Sequence, residues 1–159
     1  ELTATATLES ADQDAQDLEH LRSGYDRPIG DADNGSYLAL HQPVTYRFPE
    51  TTAITELRLV FDSDLNRYSV SGDPELRWLP MMCNRFQDHE PFGFPTTMTR
   101  GYTLEYQDAD GDWQTLHQEH NNYQRVNVIP CDCEAQAVRF IPTDTWGDQT
   151  AHVFAFDVR

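Results

Sequence analysis

Residues 103–118 read TLEYQDADGDWQTLHQ, two alternating segments on either side of Asp110-Gly111. An Asp-Gly pair supplies the positive-φ backbone that a tight turn between right-twisting strands requires, so the stretch predicts a β-hairpin. Its acidic run, Asp108 to Asp112 in the order D-x-D-G-D, departs from a calcium-binding EF-hand loop, which places its glycine later and adds a distal bidentate glutamate. The acids are therefore read as turn chemistry.

Outward from this hairpin the same period-two pattern recurs. Short strands are predicted at Leu2 to Leu8, Tyr37 to His41, Thr45 to Phe48, Ile54 to Phe61, Tyr102 to Tyr106, Trp113 to His117, Tyr123 to Ile129, Ala135 to Ile141 and Ala151 to Val158. Helix is confined to one or two turns over Asp14 to Leu21, ending before Gly24. So many short strands in 159 residues predict an all-β, antiparallel β-sandwich of the jelly-roll kind, forming one domain over residues 1–159. The chain reads as a domain excised from a larger multidomain protein.

Charge narrows the function classes. With 27 acidic residues against 11 basic ones the net charge is -16, a balance that repels a phosphate backbone or an anionic bilayer. All 11 basic residues are arginine, which excludes Schiff-base, Walker A and lysine general-base chemistry. No run of about 18 apolar residues offers a membrane span, and the opening ELTATATLES lacks the pattern of a secretory signal. None of the G-x-S-x-G, H-E-x-x-H, G-x-G-x-x-G or P-loop signatures occurs, and the six histidines are scattered. No constellation for catalysis emerges, and the chain reads as non-enzymatic.

Three cysteines make an odd count. Cys131-Asp132-Cys133 is too tight for an unstrained bridge, so a disulfide would run from Cys83 to one of the two. A zinc site would need a fourth ligand group and a second close pair, which the sequence lacks. The thiols otherwise read as structural, since cysteine packs as a small hydrophobe.

Two irregular stretches, residues 22–35 and 63–100, are long for connections in a small domain, a length uncommon unless the loop is functional or disordered. The second holds RWLPMMCNRFQDHEPFGFP, with Trp78, Arg85, Phe86 and His89 as candidate ligand contacts. A pyranose packs its C–H face on an aromatic ring while its hydroxyls take planar donors and acceptors. The competing reading is that these aromatics seal the loop onto the sandwich. NNYQRVNVIP and the TDTWGD turn form a second cluster with Asn122, Tyr123, Arg125, Thr145 and Trp146. Period two puts Tyr123 and Arg125 on one side, where Arg125 either donates to a ligand or pairs internally with an acid such as Asp144. Trp146 either contacts ligand or packs the turn.

Taken in order, LRSGYDRPIGDADNGSYLAL, ITELRLVFDSDLNR, YTLEYQDADGDWQTL, NNYQRVNVIP, AVRFIP, TDTWG and AHVFAFDVR resemble the discoidin-like (coagulation factor type C, galactose-binding-like) domain and the family 32 carbohydrate-binding modules. The DSDLNR, NYQR, TWG and FAFDVR segments also resemble the C-terminal accessory domain of bacterial FAD-dependent oxidoreductases. The resemblance implies a jelly roll whose loops at one end bind an oligosaccharide or polysaccharide. It also implies a structural calcium, with Asp26, Asp31, Asp33 and Asn34 as matching oxygen donors and Ala155 where the family often places a last-strand glutamate, the competing reading of these residues being a solvated acidic turn. Any FAD site would lie in an attached catalytic domain, so no flavin is expected here. The leading expectation is a monomeric, non-catalytic module of a secreted or periplasmic bacterial enzyme, favouring neutral or amino-sugar glycans. The alternative is a structural accessory domain of an FAD-dependent oxidoreductase that binds no glycan.

Overall fold

The computed structural model describes residues 2–12, 15, 17–63 and 94–159. Seven strands follow in chain order: β1 (Thr7–Ser10), β2 (Ser36–Ala39), β3 (Val44–Phe61), β4 (Thr99–Gln107), β5 (Trp113–Glu119), β6 (Val126–Thr145) and β7 (Thr150–Val158). They form one antiparallel sheet in the order β2-β7-β3-β6-β4-β5, with β1 added on β3.

Two very long strands turn this single sheet into a sandwich. The first part of β3 pairs with β1 and with the last part of β6, whereas its second part pairs with β7 and the first part of β6. Register slips between Arg47/Thr52 and between Ile54/Glu56 mark where both strands fold over. Bulges add the local twist that such a bend needs. The sequence pattern had separated β3 and β6 into four strands at Pro49-Glu50 and Pro130-Cys131. Pro130 is accommodated because this part of β6 pairs only with β3 and lies at a slip, where a missing N–H costs no ladder bond.

Between the layers, Phe156 meets Tyr46 at 5.1 Å and Phe140 at 5.9 Å, while Phe61 meets Tyr102 at 5.4 Å and Phe140 at 6.1 Å (ring centroids). All five rings are fully buried. Tilted rings at these separations add edge-to-face attraction to their area burial.

Local differences from the sequence reading have identifiable causes. The expected strand at Leu2 to Leu8 is a 3-10 turn at Leu2–Ala4 and a strand only from Thr7, because Arg22 Nη1 donates to the Thr3 and Ala6 carbonyls, both at 2.8 Å. Helix is the 3-10 segment Leu18–Arg22, preceded by Asp17 at φ 57, a left-handed residue that stops it extending backwards. The hairpin forms as expected, but its loop spans residues 108–112 with Gly111 at φ 89 and without a positive φ at Asp110. Asp108 organises it: Oδ1 accepts from the amides of Asp110 and Asp112 at 3.1 and 2.9 Å, and Oδ2 from Gln114. On the outer face Arg139 pairs with Glu105 at 2.5 Å and covers the Trp113 ring at 3.9 Å, docking the hairpin to β6.

Candidate functional site

Because β6 runs down one layer and up the other, its two ends return to the same rim. The Trp146 indole N–H, just past the end of β6, donates to the Asn122 carbonyl, just before its start, at 2.8 Å. Asn122 is buried and organises the rim. Its amide nitrogen donates to the carbonyls of Thr99 and Gln124 at 2.9 and 3.0 Å, and its side-chain oxygen accepts from Gln124 N and Asn127 Nδ2. Its own N–H reaches the Arg100 carbonyl at 2.8 Å. A buried asparagine with donor and acceptor both satisfied ties this turn to its neighbours.

Tyr123 follows directly and stands 60% exposed, outside any strand. Phe94, 50% exposed, stacks on Trp146 at 4.3 Å, and the Arg100 guanidinium lies 4.9 Å from the same indole. Trp146 is therefore half-buried packing that supports Phe94. Arg100 approaches Asp144 at 3.6 Å, and its Nε has no partner among the described residues. The rim thus presents two exposed rings, Tyr123 and Phe94, beside a guanidinium and a carboxylate.

Arg125 is placed differently from the expectation of a partner in Asp144. Its guanidinium donates to the Asp26 main-chain oxygen, and Asp144 goes to Arg100. Trp78, Arg85, Phe86 and His89 lie outside the described residues, as does Cys83.

Of the four residues that the resemblance assigned to calcium, Asp26, Asp33 and Asn34 are turned to separate partners. The Asp26 carboxylate pairs with Arg58, which also holds the buried Asp157 at 2.7 Å. Asp31 is exposed, and Asp33 Oδ1 stands 3.0 Å from His152 Nε2. Asn34 donates its amide back to the Arg27 and Ala32 carbonyls. Ala155 offers no side-chain oxygen; it packs with Val60 and Phe154 beside the slip between β3 and β7. Among the described residues no three His, Cys, Asp or Glu side chains converge on one point. This arrangement does not fit a calcium ion, since two guanidinium groups already occupy the cation's role around Asp26.

A second polar cluster, absent from the sequence reading, joins this loop to the strands. His152, buried, has Nδ1 3.0 Å from Asp62 Oδ2, which also accepts from Thr97 Oγ1 at 2.7 Å. The Tyr37 ring stacks on His152 at 4.2 Å, and burial followed by the nearby Asp33 charge pushes the Tyr37 phenol up to about 12. Gly35 is required there, because a Cβ would stand 2.1 Å from His152 Nε2. Residues 37, 62, 97 and 152 are far apart in sequence, and only strand pairing brings them together.

The curled sandwich and its loop-bearing rim define a discoidin-like β-sandwich. Among solved structures the fold is that of family 32 carbohydrate-binding modules. The module of Streptococcus pneumoniae EndoD matches at TM-score 0.67 and 15% identity, over 99% of this chain and 97% of that one. The Clostridium perfringens NanJ module in complex with galactose matches at 0.64 and 9%, over 99% and 95%. A chitosan-binding module of a Paenibacillus chitosanase/glucanase, in complex with chitotriose, matches at 0.61 and 13%, over 99% and 98%. No protein-family sequence model and no curated protein sequence matches the chain.

Proposed function

We propose that this chain is a non-catalytic carbohydrate-binding module that holds an attached enzyme against a polysaccharide. The observation that carries the reading is the pair of exposed rings, Tyr123 and Phe94, presented beside Arg100 and Asp144 on a rim pinned by Asn122. The rings would take the apolar face of a pyranose, and the guanidinium and carboxylate its hydroxyls. The fold supports this reading, because related folds occur with galactose and chitotriose bound. At a net charge of -16 a neutral or amino-sugar glycan suits the surface better than a polyuronate or sulfated one. The domain is expected to act as a monomer outside the cytoplasm, with weak single-site affinity, since a shallow rim buries little ligand.

Affinity electrophoresis against native polysaccharides tests this without prior choice of ligand. Retardation by a neutral or amino-sugar polymer, weakened in Tyr123→Ala, supports the module. Uniform mobility across all polymers favours instead a structural accessory domain. For that reading the relevant observation is the pair Val126 and Val128, 41% and 51% exposed on the part of β6 that pairs only with β3.

A further inference from the structure

Where β3 folds over, Arg47 pairs with Ala137 but Thr52 pairs with Ala135, so Phe48, Pro49, Glu50 and Thr51 stand opposite Gln136 alone. The excess backbone bows out and leaves a cleft of about 280 Å³, lined by those residues and Arg47, at the end of the sandwich opposite the rim. Its walls are held from outside. Arg47 Nη1 donates to Gln107 Oε1 at 3.0 Å, and Gln107 Nε2 in turn donates to the Gly111 carbonyl at 2.8 Å. Gln136 Nε2 donates to the Ala109 carbonyl at 3.0 Å, so the β4–β5 hairpin fixes two of the lining side chains. Thr52 Oγ1 donates to the Glu50 carbonyl at 2.9 Å and steadies the bowed segment. Phe48 is buried and Pro49 exposed, while among the described residues the Glu50 carboxylate, the Thr51 hydroxyl and Gln136 Oε1 have no partner.

We infer that this cleft is a second glycan site, one that takes a single uncharged pyranose unit. The mixed sign of its lining decides the ligand class. An anion drawn to Arg47 would meet Glu50 in the cleft and Glu9, which lies 3.8 Å from Arg47 Nε; a cation drawn to Glu50 would meet the guanidinium. A neutral ring bearing several hydroxyls suits both, because each hydroxyl donates and accepts: Arg47 supplies donors, Glu50 and Gln136 Oε1 acceptors, and Thr51 either. The volume falls just below the roughly 300–1,000 Å³ of clefts for drug-sized ligands, which matches one ring. The ligand class is read from the cleft itself; that one chain then bridges two polymer strands rests also on the proposed rim site. One ring buries too little surface to retard the chain in a gel by itself, so the two ends are measured separately.

The test is an amide NMR titration of the full chain with the methyl glycosides of glucose, galactose and N-acetylglucosamine, and with sodium sulfate. Shifts are expected at the Phe48, Glu50, Thr51 and Gln136 amides with at least one sugar in the millimolar range, and not with sulfate. Glu50→Ala should weaken that binding about tenfold, the scale of one hydrogen bond to a charged group, and Gln136→Ala several-fold. Tyr123→Ala should leave the shifts at the bend in place, and unchanged amide positions away from each substitution show that the variant folds. Sugar shifts confined to the rim would overturn the cleft and keep the rim, whereas shifts confined to the bend would support the cleft and count against the rim. No shift at the bend with any sugar, an equal response to sulfate, or unchanged affinity in Glu50→Ala would each overturn the site.

Discussion

The two ends of the sandwich are made by the same two strands in opposite ways. At the bend β3 and β6 run on through register slips, and backbone bonds close the end, with the amides of Thr55 and Glu56 donating to the Arg159 carbonyl at 2.7 and 3.1 Å. At the rim the strands stop, and side chains replace ladder bonds: Asn122 ties four segments, and His152 with Asp62 and Thr97 ties three. The bend therefore resists single substitutions, whereas the rim depends on a few buried polar residues while its exposed rings, Tyr123 and the Trp146-supported Phe94, face solvent. Stability and ligand contact are separable there.

Substitutions break this comparison to different degrees. Phe156→Ala removes a ring that joins the layers and should cost about 3–5 kcal/mol in chemical denaturation, loosening both ends at once. Asn122→Ala should cost about 1–3 kcal/mol, since Thr99, Gln124 and Trp146 groups lose their buried partner or its position. It should abolish glycan retardation and leave the thiol reactivity at the bend unchanged; a change in both would show that the ends are one cooperative unit. Tyr123→Ala should alter stability by less than about 0.5 kcal/mol, because the ring is exposed. If the rim is the glycan site, it should weaken binding about tenfold, the scale of one ring contact.

Smaller effects sharpen the account of the loops. A chelator, or added calcium, should leave the melting temperature unmoved, because Arg58 and Arg125 anchor Asp26; a calcium-dependent rise would reinstate the metal. The mildest effect concerns the hairpin. The Gln114 amide, then the Asp112 backbone amide, hold the Asp108 carboxyl below the usual carboxylate range. A depressed folded value means that its contribution is present above the unfolded pKa and is lost as pH falls through the folded one. Asp108→Asn should flatten that part of the acid melting curve, measured by thermal denaturation between mildly and strongly acidic pH.

The hairpin and the last strand were legible in the sequence because their signals are local: alternation, and a glycine where φ must be positive. The division of β3 and β6 was misread because Pro49 and Pro130 are punctuation in sequence, yet bulged strands can absorb a proline where no ladder bond is due. Tyr123 was legible as a candidate from its polar, turn-like surroundings. Arg125 was legible as polar and aimed at something, but its partner is the Asp26 carbonyl, a main-chain group that no side-chain pattern marks.

By itself, then, the sequence determined an all-β sandwich, an arginine-only cationic set, an acidic surface and the absence of the common catalytic signatures, since composition and period-two patterning are properties of short windows. Tertiary structure decided which residues meet. Only the folding over of β3 and β6 brings Asn122 to Trp146, Asp62 to His152 and Arg58 to Asp26. Those are contacts across tens of residues, fixed by sheet register and by the requirement that buried polar groups find partners.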